Sequence, residues 1–355
     1  MKNALQTFSG KKVFITGHTG FKGSWLSYIL IKLGADVTGF ALPPEQKTNH
    51  FDLLGLKNKL HHIEGDIRNL DHIKSSLNDA KPEFVFHLAA QALVKKSYVN
   101  PIETFDINIM GSANLLESIK ENNTVRSLVY ITSDKCYENK EWIWGYREND
   151  QLGGHDPYSA SKAAAEIIFS AYFRSFLENK KNLGLATVRA GNVIGGGDWA
   201  QDRIVPDCIR AIQNNSSIFL RHPASTRPWQ HVLEPLSGYL LLAAKLYEDP
   251  SKYSSSWNFG PFATEVKSVI DVAKTILSYF DSQSTDIVIS NEIYHEANLL
   301  QLNCDKSHQY LGWRPKWDVN ETIENTAIWY KKVIEGVNAE NITCLQIKEY
   351  FKGLI

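Results

Sequence analysis

Tyr158-Ser159-Ala160-Ser161-Lys162 opens a predicted helix. Residues four apart share a helical face, so a phenol and an ammonium can converge on one point. A cation beside a phenol favours the phenolate and lowers the tyrosine pKa. Tyr158 is thereby a candidate base for a hydroxyl group. Tyr-x-x-x-Lys recurs by chance, and its weight here comes from a second motif far upstream. Gly17-His18-Thr19-Gly20-Phe21-Lys22-Gly23 lies between a strand-like run and a helical one. Glycines at that spacing allow a tight turn and let a backbone approach a pyrophosphate resting on a helix N-terminus. The spacing excludes a phosphate loop of the GxxxxGK[ST] kind.

In a dinucleotide site of this kind an acid is expected at the end of the second strand, to hold a ribose. Thr38-Gly39-Phe40-Ala41-Leu42-Pro43 carries neither an acid nor an arginine for a 2′-phosphate. Spacing therefore leaves NAD and NADP undecided and predicts a differently anchored ribose. Asp66, in Gly65-Asp66-Ile67-Arg68, could meet an adenine amino group or could cap a helix. Arg203, Arg221 and Arg227 are candidates for a diphosphate, whose oxygens a guanidinium fork grips.

The elements that must position these groups alternate along the chain. Strand-like runs cover 13–16, 35–40, 62–64, 84–88, 128–131 and 186–189, and helical patterns cover 21–33, 70–77, 102–120 and 158–177. Alternation of this kind predicts an α/β fold of the Rossmann type, a doubly wound parallel sheet with helices on both faces. Beyond Gly195-Gly196-Gly197-Asp198-Trp199 the pattern loosens, with a helix over 204–212, short strands over 217–220 and 286–290, and a mixture of short helices and loops after Phe259. The expected organisation is a dinucleotide-binding unit over 1–190, joined by a returning helix near 233–248, and a smaller substrate lobe drawn from 191–355 in separate pieces.

With 355 residues, 43% hydrophobic and 22% charged, the chain can bury a full core without staples. Lys plus Arg is 38 and Asp plus Glu is 39. That balance gives no support to a nucleic-acid partner. Cys136, Cys208, Cys304 and Cys344 lie far apart and read as thiols of a reducing compartment. The eleven histidines show no metal spacing. Residues 1–12 lack an apolar leader core, and the run Tyr239 to Tyr247, broken by Lys245, is too short to span a bilayer. These features predict a soluble cytoplasmic protein.

Taken together, the glycine loop, His87-Leu88-Ala89-Ala90-Gln91, Thr132-Ser133-Asp134, the Tyr158/Lys162 pair and Arg189-Ala190-Gly191-Asn192 resemble the extended short-chain dehydrogenase/reductase family over nearly the whole chain. The resemblance implies a bound nicotinamide cofactor, NAD, a nucleotide-sugar substrate and a homodimer. It places the cofactor on Gly17, Gly20, Phe21, Gly23, Asp66, Ile67, Leu88, Ala89 and Ala90, with Tyr158 and Lys162 at its reactive end. It also assigns Asn108 to support of the site and contact with substrate, and Asn192, Arg203, Arg221 and Arg227 to the nucleotide sugar.

Within the family, Thr132-Ser133-Asp134-Lys135 is similar to the Thr-Asp-Glu of nucleotide-sugar 4,6-dehydratases. Ser133 matches the threonine and Asp134 the acid, while Lys135 departs from the usual glutamate. That departure, with Gly195 to Trp199 and Arg227-Pro228-Trp229-Gln230-His231-Val232-Leu233-Glu234-Pro235, resembles members acting on CDP-glucose in deoxysugar and O-antigen biosynthesis. Tyr158 would then take a hydroxyl proton, Asp134 would protonate a departing oxygen, and Lys135 would remove a carbon-bound proton. A 4-epimerase needs no acid beside Ser133, and an idle dinucleotide binder needs none of Tyr158, Lys162 and Asp134. Apolar residues on more than one face, Ile102, Phe105, Ile109 and Leu116 in one helix and Ile167, Ile168, Tyr172 and Phe176 in another, predict a dimer paired through a four-helix bundle.

Overall fold

Strands buried on both faces send alternate side chains into two apolar layers. The computed structural model, which describes residues 1–262, 266–280, 285–289 and 299–353, shows this in its first strand. In β1 (Lys12–Thr16), Val13 and Ile15 join a cluster with Trp25 and Ile29 of helix Phe21–Lys32 and Leu236 and Leu240 of helix Leu233–Glu248. Phe14 points the other way, into a cluster with Leu77 of helix Leu70–Ala80 and Leu115 of helix Ser112–Glu121.

β1 is central to a seven-stranded sheet with β2 (Asp36–Ala41), β3 (His61–Glu64), β4 (Phe84–His87), β5 (Ser127–Ile131), β6 (Gly184–Arg189) and a last strand, Ser256–Asn258. The order is Ser256–Asn258, β6, β5, β4, β1, β2, β3, and every pairing is parallel. Thr16 lies opposite Phe40 on β2 and His87 on β4. The chain leaves β1 for β2 on one side and crosses to β4 on the other, so a crevice opens above the carboxyl ends of β1 and β4. The α/β, doubly wound fold is as expected.

Several details differ. The predicted helix over 102–120 is three pieces: Pro101–Phe105, a π-helical turn Asp106–Gly111, and Ser112–Glu121. The wide turn swings the amide of Asn108 inward to Gln91 and Ser161. The helix at Pro157–Tyr172 likewise ends in a π turn, Phe173–Leu177. The strand Ser256–Asn258 escapes a reading by pattern because it has three residues. The chain's end carries not short helices but Val319–Ile334 and Ala339–Phe351. The first of these has a legible start: Asp318 and Glu321 form a reciprocal capping box. Ile218–Leu220 pairs with Ile287–Ile289, while Ser290, the end of the predicted strand there, lies outside the described residues. Helix Leu233–Glu248 packs beneath β5 and β6, where Ser127 Oγ bonds Ala243 O. Among the described residues no helix is long and apolar enough to cross a membrane.

Candidate active site

Three glycines build the floor of the crevice, each for its own reason. Gly17 has φ +76°, and a Cβ there would lie 2.6 Å from Ala89 N. A Cβ on Gly23 would lie 2.1 Å from Gly17 O. These two let the loop, the end of β4 and the first helix touch. Gly20 has an ordinary φ of −76° and would meet only Gly17 O at 3.4 Å. Nothing in the protein requires glycine there, so its bare side is free for something else. Gly20 also supplies no side-chain cap to helix Phe21–Lys32, which leaves first-turn N–H groups open. A dinucleotide pyrophosphate fits that cradle.

A cleft of about 930 Å³ runs from this loop across the sheet edge. Its lining includes Gly17, Gly20, Phe21, Gly23, Asp66, Ile67, Leu88, Ala89, Ala90, Tyr158 and Lys162, the residues expected around a cofactor. The volume is that of a small-molecule site. Asp66 is no helix cap; Asn69 caps Leu70–Ala80. The Asp66 carboxylate takes both arms of Arg68, at 2.9 Å from Nε and 2.5 Å from Nη2, which holds it below the usual carboxylate range. After β2 the cleft meets Ala41, Leu42, Pro43 and Pro44, and the next carboxylate, Glu45, is tied to Lys96 at 2.9 Å.

The segment after β5 turns sharply at Asp134–Cys136. Ser133 caps this turn, its Oγ accepting from Lys135 N at 3.2 Å and donating to Asp134 Oδ1 at 3.0 Å. Ser133 also lies beside the Tyr158 phenol and favours its ionised form. Asp134 is buried and fills the space that a side chain on Gly191 would take, since a Cβ there would lie 1.7 Å from Asp134 Oδ2. Asn192 Nδ2 stands 3.5 Å from the same oxygen. Lys135 is half-buried and lines the cleft. Asp156 caps the helix Pro157–Tyr172 and fixes Tyr158 in its first turn. The structure thus gathers Ser133, Asp134, Lys135, Tyr158 and Lys162 at one place.

The electrostatics correct one expectation. Burial pushes the Tyr158 phenol up to about 12, against the opposing influence of Ser133 and the Arg203 charge. Burial also pulls the Lys162 ammonium, 6.0 Å from the Tyr158 ring centre, down to about 8. Loss of water outweighs Ser133 and the Arg203 charge, and the phenol keeps its proton at neutral pH. Lys22, which the motif reading passed over, also lines the cleft. Burial and then the Arg203 charge pull it down to about 8, with Asp134 and Asp198 opposing. Its place inside the glycine loop, at the head of a helix, was the available signal.

Asn108 does not contact substrate space. It is buried, its Oδ1 accepts from Gln91 N at 2.8 Å, and its Nδ2 donates to Gln91 O and Ser161 Oγ. No polar atom is left over, so it supports the site from behind. Asn192, in a left-handed conformation at φ +51°, does line the cleft. Its backbone O accepts from Gln230 N, and Gln230 Nε2 holds Gly191 O at 3.0 Å, so one role of the segment 227–235 is to set Gly191 and Asn192. Arg203, Arg221 and Arg227 all line the cleft. Arg203 is bound to Asp198 at 2.8 Å, and Arg221 reaches Asp202 O at 3.5 Å.

Comparison with known proteins identifies the family. Residues 14–326 match the family model for GDP-mannose 4,6 dehydratase. The chain is 45% identical over 350 residues, 98% of each chain, to the CDP-glucose 4,6-dehydratase of Salmonella typhimurium. Its fold is similar to that of dTDP-glucose 4,6-dehydratase from Streptomyces venezuelae, solved with NAD (TM-score 0.79, 18% identity, covering 93% of this chain and 99% of that one). It is equally similar to UDP-glucose 4-epimerase from Thermotoga maritima (TM-score 0.79, 21% identity, 91% and 99%). Fold alone does not separate dehydratase from epimerase, but the sequence matches do, and the chain belongs to the GDP-mannose 4,6-dehydratase family within the extended short-chain dehydrogenases/reductases.

Proposed function

We propose that this protein converts CDP-glucose to CDP-4-keto-6-deoxyglucose and water, with NAD held at the glycine loop. Asp134 carries the reading: it is a buried carboxyl bonded to Ser133, whose side chain in turn acts on the Tyr158 phenol. NAD, when bound, supplies the acceptor of the C4 hydride and its donor to C6, and in its oxidised form a positive charge of the kind that favours a phenolate. Tyr158 takes the proton of the 4-hydroxyl. Lys135 removes the proton at C5, which the 4-ketone makes acidic, and later returns one there. Asp134 protonates O6 as it leaves as water. Each turnover leaves Tyr158 one proton richer and Asp134 one poorer. Ser133, bonded to Asp134 and beside Tyr158, offers the path that resets them. Arg203, Arg221 and Arg227 would grip the diphosphate, and Asn192 the sugar nucleotide.

By this reading residues 1–190 with the helix near 233–248 serve the cofactor and 191–355 chiefly the nucleotide sugar. We place the protein in the cytoplasm, in deoxysugar synthesis of the kind that feeds an O-antigen, and as a homodimer. Ile102, Met110, Ile167 and Phe176 support the dimer, since they leave apolar surface on the helices expected to pair. Leu116, counted toward that surface by pattern, is buried against the sheet instead. Monomeric light scattering at micromolar concentration would overturn the dimer.

The decisive experiment is incubation with CDP-, dTDP-, UDP- and GDP-glucose in heavy water, then alkali. A 4-keto sugar gives ultraviolet absorbance in alkali, and the expected result is that signal with CDP-glucose and solvent deuterium at C5. An epimer without either would sink the proposal.

A further inference from the structure

Glu166 and Arg189 form an ion pair 2.8 Å long whose side chains are 2% and 3% exposed. The pair lies behind the cleft and touches none of it. A buried ion pair is weak evidence for stability, because desolvation offsets the attraction. Here all but one of the remaining bonds lead to the catalytic segment or the strand beside it, the exception being Arg189 to Glu148 O. Glu166 Oε1 accepts from Thr132 Oγ1 at 2.5 Å and from Arg189 Nε at 2.9 Å. Glu166 Oε2 accepts from Thr187 Oγ1 and Arg189 Nη2, both at 2.8 Å. Arg189 Nη1 donates to the Tyr137 hydroxyl at 2.6 Å and to Glu148 O at 3.0 Å. The Tyr137 hydroxyl in turn donates to Asn258 Oδ1 at 2.9 Å.

Thr132 and Tyr137 are the two ends of the segment that carries Ser133, Asp134 and Lys135. One end hangs on the anion and the other on the cation of a single pair. Glu166 also lies one helical turn beyond Lys162 and two beyond Tyr158, on the same face. We propose that the Glu166–Arg189 pair is the positioning element that holds Ser133, Asp134 and Lys135 in register with Tyr158 and Lys162. The helix brings the groups for oxidation at C4, the segment after β5 brings those for elimination across C5 and C6, and the pair joins the two. The Glu166 charge also supports the Lys162 ammonium against burial.

This inference rests on the dehydration proposed above. Glu166→Gln would strand a buried guanidinium and could unfold the chain, so the test cuts the outer bonds instead. Thr132→Val removes one anchor and keeps the branched shape. Tyr137→Phe removes the other and keeps the ring against Tyr146. Both variants should remain folded by circular dichroism, with KM for CDP-glucose within about 2-fold of the parent and kcat down roughly 10- to 100-fold, the scale of a misplaced catalytic group. Elimination should slow more than oxidation, so absorbance of the reduced cofactor should build up during turnover. Thr132→Ser, which keeps the hydroxyl, should recover kcat to within about 3-fold. Parent-like kcat in either folded variant, no recovery with serine, or slowing without build-up of reduced cofactor overturns the positioning role. Failure of the parent enzyme to make a 4-keto sugar would overturn the function itself, which the variants do not decide.

Discussion

Acidification from about pH 7 to about pH 5 should collapse the walls of the cleft before it silences the chemistry. Four buried imidazoles carry this expectation. His18, His50, His87 and His231 are each pushed down to about 3, chiefly by burial. His18 Nε2 meets His62 Nδ1 at 2.7 Å, His50 lies between Ser24 and Thr343, and His87 between Thr16 and Ser112. His231 Nδ1 accepts from Leu233 N. In an unfolded chain the same rings bind protons near pH 6.5. Between about 3 and 6.5 the unfolded state therefore holds more protons, so stability rises with pH and is lost as pH falls. The loss at about pH 5 is roughly 2 kcal/mol for each ring and about 8 kcal/mol for the four. Glu234 works the other way. Burial pushes it up to about 7, so the folded state protonates first and regains about 2 kcal/mol over the same interval. The net loss of about 6 kcal/mol is a large share of the roughly 5 to 15 kcal/mol typical of a domain. His18 sits in the glycine loop, His50 against Gly197, and His87 at the end of β4. The assay is the urea midpoint by tryptophan fluorescence at the two pH values, with activity measured in parallel. The midpoint should fall steeply and activity should fall with it. Equal midpoints, or activity lost while the fluorescence stays native, would refute the reasoning.

Three further outcomes are expected. Tyr158→Phe should lose about 10² to 10⁴ in turnover, as is usual for one acid–base group, and near-normal rates would remove Tyr158 from the mechanism. Asp134→Asn should still oxidise C4 but stall before elimination, and Lys135→Met should slow the entry of solvent deuterium at C5, both read by mass spectrometry of the product mixture. Gly20→Ala should fold with an unchanged thermal midpoint but lose the stabilisation that added NAD gives, whereas Gly23→Ala, whose Cβ would lie 2.1 Å from Gly17 O, should be unstable without any ligand. Equal behaviour of the two glycine variants would contradict the cradle.

What was legible in the sequence was what short spacing encodes. The glycine loop, the helix-borne pair Tyr158 and Lys162, and the adjacent Ser133, Asp134 and Lys135 each lie within a few residues of one another, so local geometry nearly dictates their arrangement. The sheet was legible because buried parallel strands are continuous apolar runs. Ser256–Asn258 was not, since three residues with one large apolar side chain carry no period. The inward turn of Asn108 was hidden too, because a π turn is decided by what packs against it, here Gln91 and Ser161, and not by the helix's own pattern. The link from Glu166 to Arg189 spans 23 residues, and from Thr132 to Glu166, 34. Nothing local marks either.

Tyr158 shows the deeper reason why neighbours in sequence are not enough. The sign of its shift is a contest between loss of water and the opposing influences of Ser133 and Arg203, and the spacing to Lys162 displays neither side of it. In the folded chain water loss dominates for both members of the pair, so phenol and ammonium each move toward the neutral form, to about 12 and about 8. Lys22 moves the same way for the same reason. At neutral pH the cleft therefore presents ammonium groups that would gain by meeting an anion, and a phenol that still holds its proton. A diphosphate entering such a cleft relieves the cations, while the phenol becomes a base only when positive charge is brought beside it. Burial, which costs the empty protein stability, is thus what makes the site's protonation state depend on what is bound in it.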